Sequence, residues 1–286
     1  LTWSGAPAMT NSGTLNINAG YWIFANTLNN TGIFNLPAGR TAYFTATTNL
    51  SAGTTLPGAG QIVLQSGGLT QAFPWVNSTH TVLITGGTWN NTSGSPLEFA
   101  PGSAFTWQSG SITGTTAVVI QSGLTAAINT TGTKTLHNSL VNNGTINWSG
   151  GIINAGGNIQ NTAEGVLNIS FAGDNQLQIA LNNAGTVNYT GNGQWLTWSG
   201  APAMTNSGTL NINGGSWVIA NTLTNTGVLN VAASRVLNYS LAQALSGTVS
   251  NAGILTGTLT SFTGPSFTNN GSVTLTNLPF AGSTAQ

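Results

Sequence analysis

Charge is what this sequence has least of. Among 286 residues only Glu98, Glu164 and Asp174 are acidic and only Arg40, Lys134 and Arg235 are basic, 2% in all, with a formal net charge of zero. An average soluble domain carries roughly 25% charged residues. Three scattered bases cannot build the clustered cationic face that nucleic acid requires. Cysteine is absent, which removes disulfides and thiol chemistry but leaves the compartment open. No apolar run reaches the length of a membrane-spanning helix, so no transmembrane segment is expected. No window carries a 3.6-residue apolar period. The best helical candidate, SLAQAL at Ser240 to Leu245, is long enough only for a turn or a bridging loop. The chain opens on LTWSG, with no initiator Met, basic region or signal peptide, and is expected to be processed or a segment of a longer protein.

What is present can build a core. Apolar residues make up 40% of the chain, too many for a disordered composition, and the length supports one continuous interior. Solubility falls to Asn, Thr, Ser and Gly, and the near-zero charge favours association.

The chain repeats itself. Asn-x-Gly followed by an alternating apolar run occurs with its Asn and Gly at Asn11 and Gly13, Asn30 and Gly32, Asn142 and Gly144, and Asn183 and Gly185. It returns at Asn206 and Gly208, Asn225 and Gly227, Asn251 and Gly253, and Asn269 and Gly271, and a longer variant, NTAEGVLNI, begins at Asn161. Most spacings lie near 19 to 20 residues, with small insertions. In TLNIN, Leu15 and Ile17 share one side of a strand while Thr14, Asn16 and Asn18 take the other. Asn-x-Gly marks a corner, because Asn bonds its own backbone and Gly accepts positive φ. Short strands separated by corners return the chain to a parallel neighbour about 4.8 Å along an axis. Apolar positions then stack inside, and asparagines stack at the corners, amide to amide. The pattern predicts an all-β parallel solenoid with coils of about 19–20 residues, continuous over 1–286. Hairpin sandwiches also use Asn-Gly turns, but they do not repeat one turn-plus-strand phrase at a fixed period.

A second period is superimposed. LTWSGAPAMTNSGTLNIN at Leu1 to Asn18 recurs at Leu196 to Asn213, and the match extends over 1–38 and 196–233, offset by 195 residues, about ten expected coils. Ile23 becomes Val218 and Phe34 becomes Leu229, swaps that keep apolar character where a core needs it.

Phrases such as FTWQSGSITG, GTKTLHNSLVNNGTINWSGG and IQNTAEGVLNI resemble large secreted bacterial surface proteins, the broad adhesin class of filamentous haemagglutinins and autotransporter passenger domains. The resemblance covers nearly the whole chain. It implies a right-handed, single-stranded parallel β-helix at the cell surface or outside the cell, serving adhesion, surface coating or biofilm.

Parallel β-helices also carry polysaccharide-degrading enzymes. A glycosidase needs two carboxylates facing each other across the sugar bond. Glu98 lies several coils from the others, and Glu164 in NTAEG and Asp174 in FAGDNQ read as charges on outward loops. His80 and His137 have no further ligands at metal spacing and read as surface or corner residues. No GxSxG elbow, phosphate-binding loop or calcium-binding nonapeptide occurs. No catalytic residue, metal or cofactor is therefore assigned. Of nine tryptophans, Trp89, Trp107 and Trp148 alternate with polar neighbours and are expected to fill the core. Tyr43, Trp75 and Tyr189 are kept as weak candidates for an exposed glycan-binding patch. Threonines occur in varied contexts rather than as the regular Thr-x-Thr ranks that ice binding would require.

The expected function is that of an extracellular structural or adhesive solenoid, a filament component or a segment of a giant surface protein. The alternatives are a glycan-binding adhesin module without filament assembly and, more remotely, a polysaccharide-degrading β-helix enzyme. Repeat text at the start of the chain, and a non-helical end, suggest covalent continuation in a longer array or head-to-tail stacking of copies. Partners would be further copies, glycans or cell surfaces.

Overall fold

The computed structural model describes residues 1–5, 7–171, 175–192, 195–198 and 203–276, with the backbone alone for 175 and 195–198. They form an all-parallel β-solenoid of about 13 turns. A coil contributes one short strand to each of three faces. The first face is a single sheet of 14 strands, from Thr2–Trp3 through Tyr21–Phe24 and Thr41–Phe44 to Phe267–Asn269. The second runs from Met9–Asn11 to Ser272–Thr276. The third opens with Thr14–Asn16 and Ile33–Asn35 and continues through the single pairings Ile33↔Thr55 and Leu36↔Gly58. It resumes as strands at Trp75–Asn77. Among the described residues there is no helix long and apolar enough to cross a membrane.

Alternation explains the interior. In Thr145–Trp148, Ile146 and Trp148 are buried while Thr145 and Asn147 face outward. Trp89, Trp107, Trp148 and Trp217 are fully buried, each removing an aromatic side chain from water for about 1.5–3 kcal/mol. Rings pack both along and across the coils: Phe24 and Phe44 on successive coils lie 5.4 Å apart, Phe99 and Phe105 across one corner 4.3 Å, and Trp148 meets Phe171 edge-on at 4.8 Å. The swap of Phe34 for Leu229 is a core swap, since both are buried. Ile23 and Val218 instead lie half-buried on outward positions of their strands.

Coil length varies along the rod. Register partners on the first face are 18 residues apart at Val249↔Phe267 and 23 apart at Thr81↔Ala104 and Thr186↔Thr209. Corners absorb the difference. In the Thr81 coil the extra residues form a turn in which Ser93 Oγ donates to Asn91 Oδ1 at 2.7 Å. SLAQAL is not a turn or loop but part of the strand Val236–Leu245, which crosses from the second face to the third with a register shift between Tyr239 and Ala244. Buried Gln243 holds it extended: its Nε2 donates to Asn221 O at 2.8 Å, and its Oε1 accepts from Leu223 N at 2.7 Å.

The two copies of the duplicated block lie on different faces. Thr2–Trp3, Met9–Asn11 and Thr14–Asn16 occupy the first, second and third faces. Their counterparts Trp195–Trp198, Met204–Asn206 and Thr209–Ile212 occupy the second, third and first. From Thr2–Trp3, nine coils lead to Thr186–Tyr189, and the duplicate begins on the next strand. The offset of 195 is thus nine coils and one face rather than ten coils, because insertions lengthen the mean coil to about 21 residues.

Candidate functional site

Asn-x-Gly corners stack into amide ladders, and the ladder changes corner along the rod. Asn11 Nδ2 donates to Asn30 Oδ1 at 2.5 Å between the second and third faces. Asn142, Asn161, Asn183, Asn206 and Asn225 form an unbroken chain of Nδ2-to-Oδ1 bonds of 2.6–2.7 Å between the third and first faces. Asn251 donates to Asn269 at 2.8 Å between the first and second. Within most motifs the amide also closes its own turn: Asn30 Nδ2 donates to Gly32 O at 2.9 Å, and Asn142 Oδ1 accepts from Gly144 N at 3.2 Å. The interior ladder members are buried, so each satisfied amide matters more than it would in water.

The motif glycines are required for a different reason from the one expected. None of Gly13, Gly32, Gly144, Gly185, Gly208, Gly227, Gly253 and Gly271 has positive φ. A Cβ on Gly208 would press into the carbonyl oxygen of Gly185, and one on Gly227 into that of Gly208. Apart from Gly13 in the first coil, where a Cβ would meet nothing, these glycines stack backbone on backbone, with no room for a side chain.

Of the glycan candidates, Trp75 and Tyr189 are buried and cannot present a ring to a sugar. Trp75 stacks on Trp89 at 5.8 Å, and Tyr189 meets Trp217 edge-on at 5.8 Å. Tyr189 ends a strand of regular alternation, so its inward side was legible, whereas the strand of Trp75 turns apolar Val76 outward and Asn77 inward, which hid it. Tyr43 lies on the outside of the first face, half-buried, with exposed Tyr21 edge-on at 5.9 Å.

The ionisable groups are dispersed. Glu98, on the third face, accepts a hydrogen bond from Gln121 Nε2. Glu164 is exposed on a corner three coils further on, about 14 Å along the axis, too far for a carboxylate pair. Asp174 lies outside the described residues. His137 is exposed. His80 sits at a corner but is buried, with Nδ1 3.2 Å from Gly60 O and Nε2 3.0 Å from Leu56 O. It links two coils where pairing on the third face is interrupted. Lys134 is buried, which sequence reasoning missed, and its Nζ donates to the carbonyls of Thr130, Gly132 and Gly150 at 2.8–2.9 Å. Burial lowers its pKa to about 8. Among the described residues no three His, Asp or Glu side chains gather as a metal site would need.

The most ordered outward surface is the first face. Its strands pair without register shifts from Tyr21 to Asn251. The middle outward rank begins with half-buried Ile23, Tyr43 and Leu83 around buried Val63, passes through Thr106 and Ala127, and continues as asparagines. There Asn168 donates to Asn147, Asn188 to Asn168, Asn211 to Asn188 and Asn230 to Asn211, all at 2.8–2.9 Å. Beside it, Thr125, Thr145, Thr186, Thr209 and Thr248 share a rank broken by Val166 and Val228. This alignment was hidden in the sequence because the corners differ in length.

No family model, curated protein or solved structure matches this chain.

Proposed function

We propose that this chain is a structural segment of an elongated extracellular surface protein, a stiff uncharged rod that coats or adheres rather than catalyses. The observation that carries this reading is the turned duplication. The same eighteen residues are laid on faces one, two and three in one copy and on two, three and one in the other. Both copies keep their inward ladder, Asn11–Asn30 and Asn206–Asn225, and their outward pair, Asn16–Asn35 and Asn211–Asn230. A catalytic or binding site depends on fixed neighbours across coils. Text that works equally on any face is text for building coils. The resemblance of its phrases to secreted surface proteins supports placing the rod outside the cell.

Antibody labelling of intact source cells tests the location, with labelling expected before permeabilisation; label only after permeabilisation refutes it. Incubation with a panel of soluble polysaccharides tests the rest, and hydrolysis of any would replace the structural reading with an enzymatic one. A glycan-binding role retains Tyr43 of its three candidates, and a glycan array read with Tyr43→Ala examines it.

A further inference from the structure

We propose that the first face is where two copies of this chain pair side by side, parallel and in register. The pairing deepens the rod reading above, on which it rests, and names the partner.

Three observations carry it. The first is charge. No charged side chain occupies the outward ranks of this face; Arg40 and Glu164 lie on the corner leading into it and Arg235 on the corner leaving it. Two such faces meet without repulsion, in a protein of zero net charge. The second is area. Twelve coils, from Tyr21 to Thr248, at about 4.8 Å each, and four residues of strand at about 3.3 Å, make a flat rectangle of roughly 760 Å². Two of them bury about 1,500 Å², within the range of stable interfaces. Either half alone would fall below it.

The third observation sets the orientation. The middle rank is apolar at Ile23, Tyr43 and Leu83, which flank buried Val63, and amide from Asn147 to Asn230. A parallel pair, related by a two-fold axis along the rod, sets apolar on apolar and amide on amide. An antiparallel pair buries amides against Tyr43 and Leu83, which costs unpaired hydrogen-bonding groups. A ladder uses one N–H and one lone pair of each interior Asn, and the side chain has two of each. The remainder is free to meet the partner's ladder, as facing amide ladders do in stacked sheets.

Sedimentation velocity over a concentration series tests the pairing on the whole chain. A reversible dimer is expected. Tyr43→Lys and Asn211→Lys should each weaken it at least about tenfold, because each sets like charges face to face. Thr10→Lys, exposed on the second face, should leave it unchanged, and all three should keep the far-UV β signal. Orientation is read with single cysteines in this cysteine-free chain. Leu83→Cys and Asn188→Cys should each link to itself through a short bis-maleimide. A monomer at every concentration, a dimer indifferent to both first-face lysines, or links only between Leu83→Cys and Asn188→Cys would overturn the proposal. Monomeric rods would remove the pairing and leave the structural reading standing. Hydrolysis of a polysaccharide would remove that reading without touching the dimer.

Discussion

Replacing Asn183 by Ala removes the centre of the longest buried ladder. Asn183 Nδ2 lies 2.6 Å from Asn206 Oδ1 and 3.0 Å from Thr209 O, and its Oδ1 accepts from Asn161 Nδ2 at 2.7 Å. With a longer bond to Gly185 O at 3.3 Å, four hydrogen bonds are lost, each worth a net contribution of about 1 kcal/mol or less, and the Asn206 oxygen is left buried without its donor, so the expected cost is about 3–4 kcal/mol. Asn188→Ala breaks two bonds of the outward ladder, 2.9 Å to each neighbour. Water replaces them there, and the expected cost stays below about 1 kcal/mol. Urea unfolding followed by far-UV circular dichroism reads both as shifts in midpoint at constant slope. Asn183→Asp keeps the shape and the acceptor but loses the donors. Its buried carboxylate would face the Asn206 oxygen, which raises its folded-state pKa above the unfolded value. That variant should therefore lose stability as pH rises through the carboxylate range and recover it in acid. If Asn188→Ala costs as much as Asn183→Ala, or if Asn183→Ala costs less than about 1 kcal/mol, the buried ladder is not what holds this corner.

Gly13 and Gly208 sit in identical sequence, but a Cβ on Gly13 meets nothing while one on Gly208 meets the Gly185 carbonyl. Gly13→Ala should leave the melting temperature of this chain nearly unchanged, and Gly208→Ala should lower stability by about 1–3 kcal/mol. Lys134 has a folded pKa of about 8 against an ordinary value of 10.5, so between these values the unfolded chain holds the proton that the native one has released. Stability should rise as pH is raised from 8 to 10.5, by no more than about 3 kcal/mol and less to the extent that solvent and the three carbonyls screen the charge. Between about pH 8 and 9, below the range in which buried Tyr239, its pKa raised by burial, begins to lower stability, the rise of the thermal midpoint should be missing in Lys134→Met. Trp148→Ala empties a fully buried site and frees the carbonyls of Gly150 and Gly151; a loss of about 3–5 kcal/mol is expected in the same urea titration.

Much of this architecture was legible in the residues. Alternation in TLNI and TINW shows which side chains turn inward, and the recurring Asn-x-Gly shows where coils bend. Both are local rules with a period of two or a fixed turn, so they survive without knowledge of the neighbours. Trp89, Trp107 and Trp148 were readable for the same reason. Tyr189 was readable too, since it ends Thr186–Tyr189 in the same alternation and register column as Trp148; Trp75 was not, because its strand turns apolar Val76 outward and polar Asn77 inward.

Asn11 and Asn206, Gly13 and Gly208, and Trp22 and Trp217 are pairs that no local reading separates, since their surroundings in sequence match. Local chemistry settles that each pair serves as a ladder amide, a corner and a core ring. Only stacking decides that Asn206 and Trp217 are buried while Asn11 and Trp22 are half-buried. The stacking also puts the two copies on different faces, because insertions at distant corners accumulate into a coil phase that no single stretch of sequence contains.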